Sequence, residues 1–156
     1  MGASVSVKVI KDTKGAGVAA LQRRLRAGIH RVLVGVPAGK STPDGTSLAE
    51  VAAWTEFGTS TAPERPFLRG GVREALPLCR RLAAQDLSAV AEGRMTIPAA
   101  LERQGFAAEG SVKKYMAGDN FAPNAPSTIA KKGSSQPTID SGQLRQAVTH
   151  VVEAGR

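Results

Sequence analysis

The run from Ala122 to Val148, APNAPSTIAKKGSSQPTIDSGQLRQAV, limits this chain more than any other feature, because it is long, nearly devoid of hydrophobic mass and pinned by Pro123, Pro126 and Pro137. Each proline fixes its own φ and pushes the preceding residue toward an extended form. Gly133 and Gly142 supply flexible or left-handed positions, and Asp140 or Ser141 can cap a short helix. Such a segment adds no layer to a core. A proline-bounded loop at about 118–139 is therefore expected to serve contact with another molecule. The core must come from the rest of a 156-residue chain, enough for one domain spanning 1–156. Aromatic residues make up only 4%, so Ala, Val and Leu must build it.

Ser4 to Ile10 alternates polar and apolar, the period of a half-buried strand. Thr13 to Gly28 reads as a helix with Val18, Leu21 and Leu25 on one face and Arg23, Arg24 and Arg26 largely away from it. His30 to Pro37 is a second strand, followed by a polar turn from Ala38 to Thr46. Ser47 and Glu50 form a capping-box pattern ahead of a helix that stops near Gly58. A long helix begins near Pro66, with Leu68, Val72, Leu76, Cys79, Leu82 or Ala83, Leu87 and Val90 as its core stripe. Pro77 must kink it or divide it in two. Pro98 opens a further helix to Met116, with Leu101, Ala108, Val112, Tyr115 and Met116 inward and Gly105 and Gly110 as weak points. One helical turn over Asp140–Arg145 and a closing strand over Ala147–Val152 complete the chain. The expected fold class is α+β: a small, mostly antiparallel sheet of N-terminal and C-terminal strands packed on two or three helices.

The net charge of +8 is unevenly spread. Residues 1–40 carry eight bases against Asp12 alone, whereas residues 41–64 carry four acids and no base. Unlike segments of this kind suit docking between copies or onto an acidic polymer. No apolar stretch approaches the roughly 20 residues needed to span a bilayer, and the N-terminus lacks a signal-peptide pattern. The single cysteine, Cys79, fits a reducing compartment. A soluble protein made in the cytoplasm is expected.

Catalytic patterns find little support. Gly39-Lys40-Ser41 resembles the end of a phosphate-binding loop, but only three residues separate Gly35 from Gly39 where four are needed, and Pro43-Asp44-Gly45 blocks an immediate helix. His30 and His150 are the only histidines, and with Cys79 they form no tight metal spacing. Both read as structural strand residues, with a His–carboxylate pair formed by the fold as the alternative. No nucleophile elbow is present. Lys113-Lys114 and Lys131-Lys132 could touch phosphates, but Tyr115 is the only nearby aromatic and single-strand binding wants several stacking platforms. Trp54 and Phe57, at helical spacing, are core anchors or interface residues. Arg65, Phe67 and Arg69 place two cations around an aromatic at a helix start, as a hydrophobic clamp or as contact with a neighbouring subunit.

Three segments in order carry a resemblance to a known family. Leu48–Thr59 contains A-x-x-x-E-F-G-T, and Ala62–Arg69 resembles I-P-x-R-P-F-L-R. Pro126–Ser134 with Pro137–Arg145 resembles P-x-T-x-x-x-K-G-S followed by P-L-I-D-T-G-x-L. Ala62 stands where a larger apolar residue is usual, and Thr138 where leucine is usual. Together the segments cover roughly residues 45–152 and resemble the tail-completion, or head–tail joining (neck), proteins of long-tailed bacteriophages, also described as minor tail components.

The resemblance implies a virion structural protein at the head–tail junction, assembled in the host cytoplasm, that completes or caps the tail and joins it to the head connector. It implies a homo-oligomeric ring, a hexamer being one such form, contacting the tail tube or tail terminator, with DNA passing nearby and no sequence-specific DNA binding. It implies no catalysis, cofactor, metal or membrane. The interface residues expected are Trp54, Phe57, Arg65, Phe67, Arg69, Lys131 and Lys132, with Arg65 and Arg69 paired to acids on an adjacent copy or on the connector. The rivals are a tail terminator or head-closure ring protein and, from another class, a basic DNA-binding accessory protein whose affinity would fall steeply with salt.

Overall fold

The computed structural model describes residues 30–121 and 142–154, together with the isolated positions Ala19, Arg23 and Ala130. The strand expected at Ser4–Ile10, most of the helix expected at Thr13–Gly28, the Asp140–Ser141 cap and most of the proline-bounded loop lie outside the described residues. Within them the fold is a small α+β arrangement: strand β1 (His30–Gly35), helices α1 (Leu48–Phe57), α2 (Phe67–Ala91), α3 (Ile97–Ala117) and α4 (Gln143–Ala147), and strand β2 (Thr149–Ala154). No helix among the described residues is long and apolar enough to cross a membrane.

The strands pair antiparallel, with Val32 opposite Val152, Leu33 opposite Val151 and Val34 opposite His150. Side-chain alternation places Val32, Val34, Val152 and His150 on one face and Arg31, Leu33, Val151 and Glu153 on the other. The inner face lies on α3, while Leu33 and Val151 stay exposed and Arg31 pairs with Glu153 across the register at 2.9 Å. β2 starts two residues later than the sequence suggests, because Ala147 and Val148 are committed to the core as α4 ends.

The core is a cluster of Ala52, Phe67, Val112, Met116, Leu144 and Val148, flanked by Val34, Val36, Val51, Leu68, Val72 and Phe121. It sits where α1, the start of α2, the end of α3 and α4 converge. Against it α2 and α3 pack along a seam of small residues. A Cβ on Gly71 would stand 2.5 Å from the Val112 Cα, so α3 approaches closer than any side chain there allows. The Ser111 hydroxyl donates to the Gly71 carbonyl at 3.0 Å across the same seam.

One alternative is settled and two expectations are corrected. α2 runs unbroken from Phe67 to Ala91 through Pro77, so it is not divided; packing of its small-residue face along α3 offsets the hydrogen bond the proline forgoes. Its buried stripe begins at Phe67, Gly71 and Ala75 rather than Leu68, Val72 and Leu76, one residue earlier, because glycine and alanine allow the close approach. α1 does start after Ser47, but the Ser47 side chain makes no cap. The Leu48 amide instead donates to the Lys40 carbonyl at 2.9 Å, because Ser41 and Ser47 form a β-bridge that folds the preceding turn onto the helix start.

Candidate functional site

The first two segments of the resemblance fold into one unit centred on Glu56. Along α1, Leu48, Ala52 and Glu56 recur every four residues and share the buried face, which carries the Glu56 carboxylate inward to 3% exposure. Gly58 then turns the chain with φ +76°, and a Cβ there would meet the Glu64 amide nitrogen at 2.8 Å and the Ala62 carbonyl at 2.9 Å. Thr59 closes the turn through its amide to the Ala62 carbonyl and through its hydroxyl to the Ala62 amide. The Arg65 amide returns to the Thr55 carbonyl at 2.7 Å. This brings the start of α2 against the end of α1.

α2 begins after Pro66, which has no side chain able to cap it. Glu56 supplies the missing acceptor: its carboxylate takes the Leu68 amide at 2.8 Å, the Arg69 amide at 3.1 Å and the Arg69 Nε at 2.8 Å. Arg69 also donates to the Glu56 backbone carbonyl at 3.1 Å and to the Glu64 carboxylate at 3.2 Å. Hydrogen bonds to Glu56 first, and then to Glu64, hold the Arg69 pKa above its ordinary value. Negative charge at the positive end of a helix with 25 residues, neutralised by a cation held in a fork, makes this a carboxylate clamp.

The clamp fixes what lies outside it. The Arg69 guanidinium sits over the Phe57 ring, 5.4 Å from its centroid. Phe57 remains 69% exposed and Trp54, one turn earlier, 51% exposed. The outward face of α1 is therefore Glu50, Ala53, Trp54 and Phe57 at steps of three and four. Of the residues expected at an interface, the fold brings Trp54, Phe57 and Arg69 together on the surface.

Phe67 does not join them. It is fully buried among the core residues, a correction that follows from its place at the first turn of α2, facing Val112 and Met116 across the seam. The Arg69 guanidinium is taken up by Glu56 and Glu64 of its own chain, with 53% of its side chain still exposed. Arg65 is half-buried beside the clamp, and Lys131 and Lys132 lie outside the described residues.

A second polar cluster was foreseen only as an open alternative. His150 on the inner face of the sheet places Nδ1 2.7 Å from Glu109 and Nε2 3.0 Å from Glu102, with Lys113 on the other oxygen of Glu109 at 2.5 Å. Phe106 meets the imidazole edge-on at 4.5 Å. Gly105, expected as a weak point, is what admits the ring: a Cβ there would stand 2.1 Å from His150 Cδ2. Burial opposes the His150 charge, but hydrogen bonds that its ring nitrogens donate to Glu109 and Glu102 outweigh it and raise the pKa above 6.5. Asp86, buried at 3% and bridged to Arg103, is a further buried carboxylate that hydrophobic periodicity passes over.

The turn after β1 is closed on itself. Thr42 and Gly45 use their amides on the Thr46 and Thr42 carbonyls, and the Thr42 hydroxyl pairs with Asp44. An open cleft of about 400 Å³ beside it is lined by Lys40, Ser41, Leu48, Gln143, Gln146 and Ala147, with Lys40 its one charged group. Among the described residues no cluster of three or more His, Cys, Asp or Glu could hold a metal ion. The sequence matches no protein-family model, and it has no match among the curated proteins or the solved structures.

Proposed function

We propose that this chain is a bacteriophage virion structural protein of the head–tail junction, acting as a homo-oligomeric ring that completes the tail and joins it to the head connector. One observation carries the assembly part of this reading: Trp54 and Phe57 stand exposed on a helix end that the Glu56–Arg69 clamp holds rigid. Rigid, partly exposed aromatics beside an arginine are the composition of interface anchors, and their burial in a partner would recover free energy that solvent exposure now forgoes. The location part rests on the ordered sequence segments, two of which form the clamp itself.

The polar clusters support a structural rather than a catalytic reading. Both nitrogens of His150 face carboxylates, so the ring has no free lone pair to take a proton from a substrate. The test joins native mass to location. The purified full-length chain should have a mass several times its monomer, and labelled antibody should mark it at one end of the tail in particles. A monomer at every concentration, alone and with tail tubes or connectors added, would remove the ring. Absence from particles would remove the location.

A further inference from the structure

The ring reading leaves open which surface of the next copy meets the α1 aromatics; α2 carries a face that fits. Its buried stripe runs through Phe67, Gly71, Ala75, Asp86, Ala89 and Val90. On the opposite side, at steps of three and four, stand Arg73, Leu76, Arg80, Ala84 and Leu87, all exposed, with Leu76 at 43% and Leu87 at 63%. The helix thus presents aliphatic and cationic side chains in alternation along the side turned away from α3. The ion pairs among the described residues bypass Arg73, Arg80 and Glu50.

The two faces match in charge and apolar content, and the α1 face matches the Arg73–Arg80 half of the stripe in length. Glu50 and Phe57 are seven residues apart, as are Arg73 and Arg80, so each pair spans about 10 Å of helix. The α1 face carries an acid beside its aromatics, and the α2 stripe carries bases beside its leucines. Nucleic acid or an anionic membrane would meet the arginines but leave Trp54 and Phe57 without a partner. A second copy satisfies both faces at once.

We infer that the α1 face of one copy, Glu50–Trp54–Phe57, docks on the α2 stripe, Arg73–Leu76–Arg80–Leu87, of another copy of this chain. Glu50 approaches the arginines while the aromatics cover the leucines. The inference rests on the ring reading and names the partner face within it.

The full chain tests it in a Cys79→Ser background, which removes the sole cysteine. With Ala53→Cys and Ala84→Cys together, oxidation should link copies through disulfides. A ladder beyond dimers supports both the docking and the ring, whereas dimers alone support the docking and count against a ring. Linkage by Ala53→Cys alone overturns the docking, because α1 would then meet α1. Separately, R73E/R80E should weaken self-association at least tenfold without changing the melting temperature, and adding E50R should restore part of it. Unchanged association in R73E/R80E overturns the inference and leaves the ring standing. A wild type that stays monomeric yet binds duplex DNA or phosphatidylserine vesicles through Arg73 and Arg80 overturns both.

Discussion

Glu56 shows how much one carboxylate can determine. It accepts two backbone amides that α2 cannot satisfy internally and one charged Nε, all from a site 3% exposed. Replacing a buried, paired charge leaves its partners unsatisfied. E56A should therefore lower unfolding free energy by about 3–5 kcal/mol, and E56Q, which keeps the shape, by about 2 kcal/mol. R69E should also destabilise, because it sets three carboxylates together; urea denaturation followed by circular dichroism measures all three. His150 makes a second residue-scale prediction. Its folded pKa is raised, so its stabilising contribution is complete below about pH 6.5 and is lost as the pH rises through the folded value. Burial opposes the charge on Glu109, but hydrogen bonds from Lys113 and His150 outweigh it and lower the pKa below 4.5; its contribution is complete above that and is lost as the pH falls through the folded value. Stability should thus pass through a plateau between the two, and H150Q should remove the decline on the alkaline side. Sequence analysis passed over Glu56, because a carboxylate at four-residue spacing from Leu48 and Ala52 reads as solvent-facing on hydropathy. The carboxylates around His150 are 41 and 48 positions away in the chain, where no local pattern reaches.

At the scale of elements, β1, α1 and α3 were legible because periodicity and breakers agree there. An apolar run ended by Pro37 marks β1, Ser47 and Gly58 bracket α1, and Pro98 opens α3, where the structure adds a cap from Thr96, which accepts the Ala99 amide at 3.3 Å. α2 was legible in extent but not in rotation. Hydropathy finds large apolar residues, whereas the seam with α3 is set by where the largest are missing, at Gly71 and Ala75. Leu76, Leu78 and Leu87 consequently remain on the surface. The seam makes a prediction against helix propensity. Alanine should favour a helix by up to about 1 kcal/mol over glycine. G71A should nevertheless destabilise, by about 1–3 kcal/mol, because its methyl group would meet backbone at Val112. A raised urea midpoint in that variant would mean that the helices separate easily.

Across the whole molecule, the described chain keeps its largest apolar groups in two places: Phe67 and Met116 inside, and Trp54, Phe57, Leu87 and Phe106 outside. The outer group lies outside the core cluster, with Phe106 against His150 and Phe57 beneath Arg69. W54S/F57S should leave the unfolding free energy within about 0.5 kcal/mol of the parent while reducing self-association, with calorimetry and light scattering reading the two effects separately. An antiparallel sheet of N-terminal and C-terminal strands was legible from the order of the apolar segments His30–Pro37 and Ala147–Val152. The partition of large side chains was not, because composition counts residues without telling which way a helix turns.

The Gly58 loop and the acid beneath it also have a mechanical side. Force applied to the ring of Phe57 cannot simply peel the end of α1 away from the body. It must first pull the Glu56 oxygens off the opening turn of α2, breaking three charge-assisted bonds loaded together rather than in sequence. Traction at that aromatic is thereby handed to α2, the longest helix among the described residues.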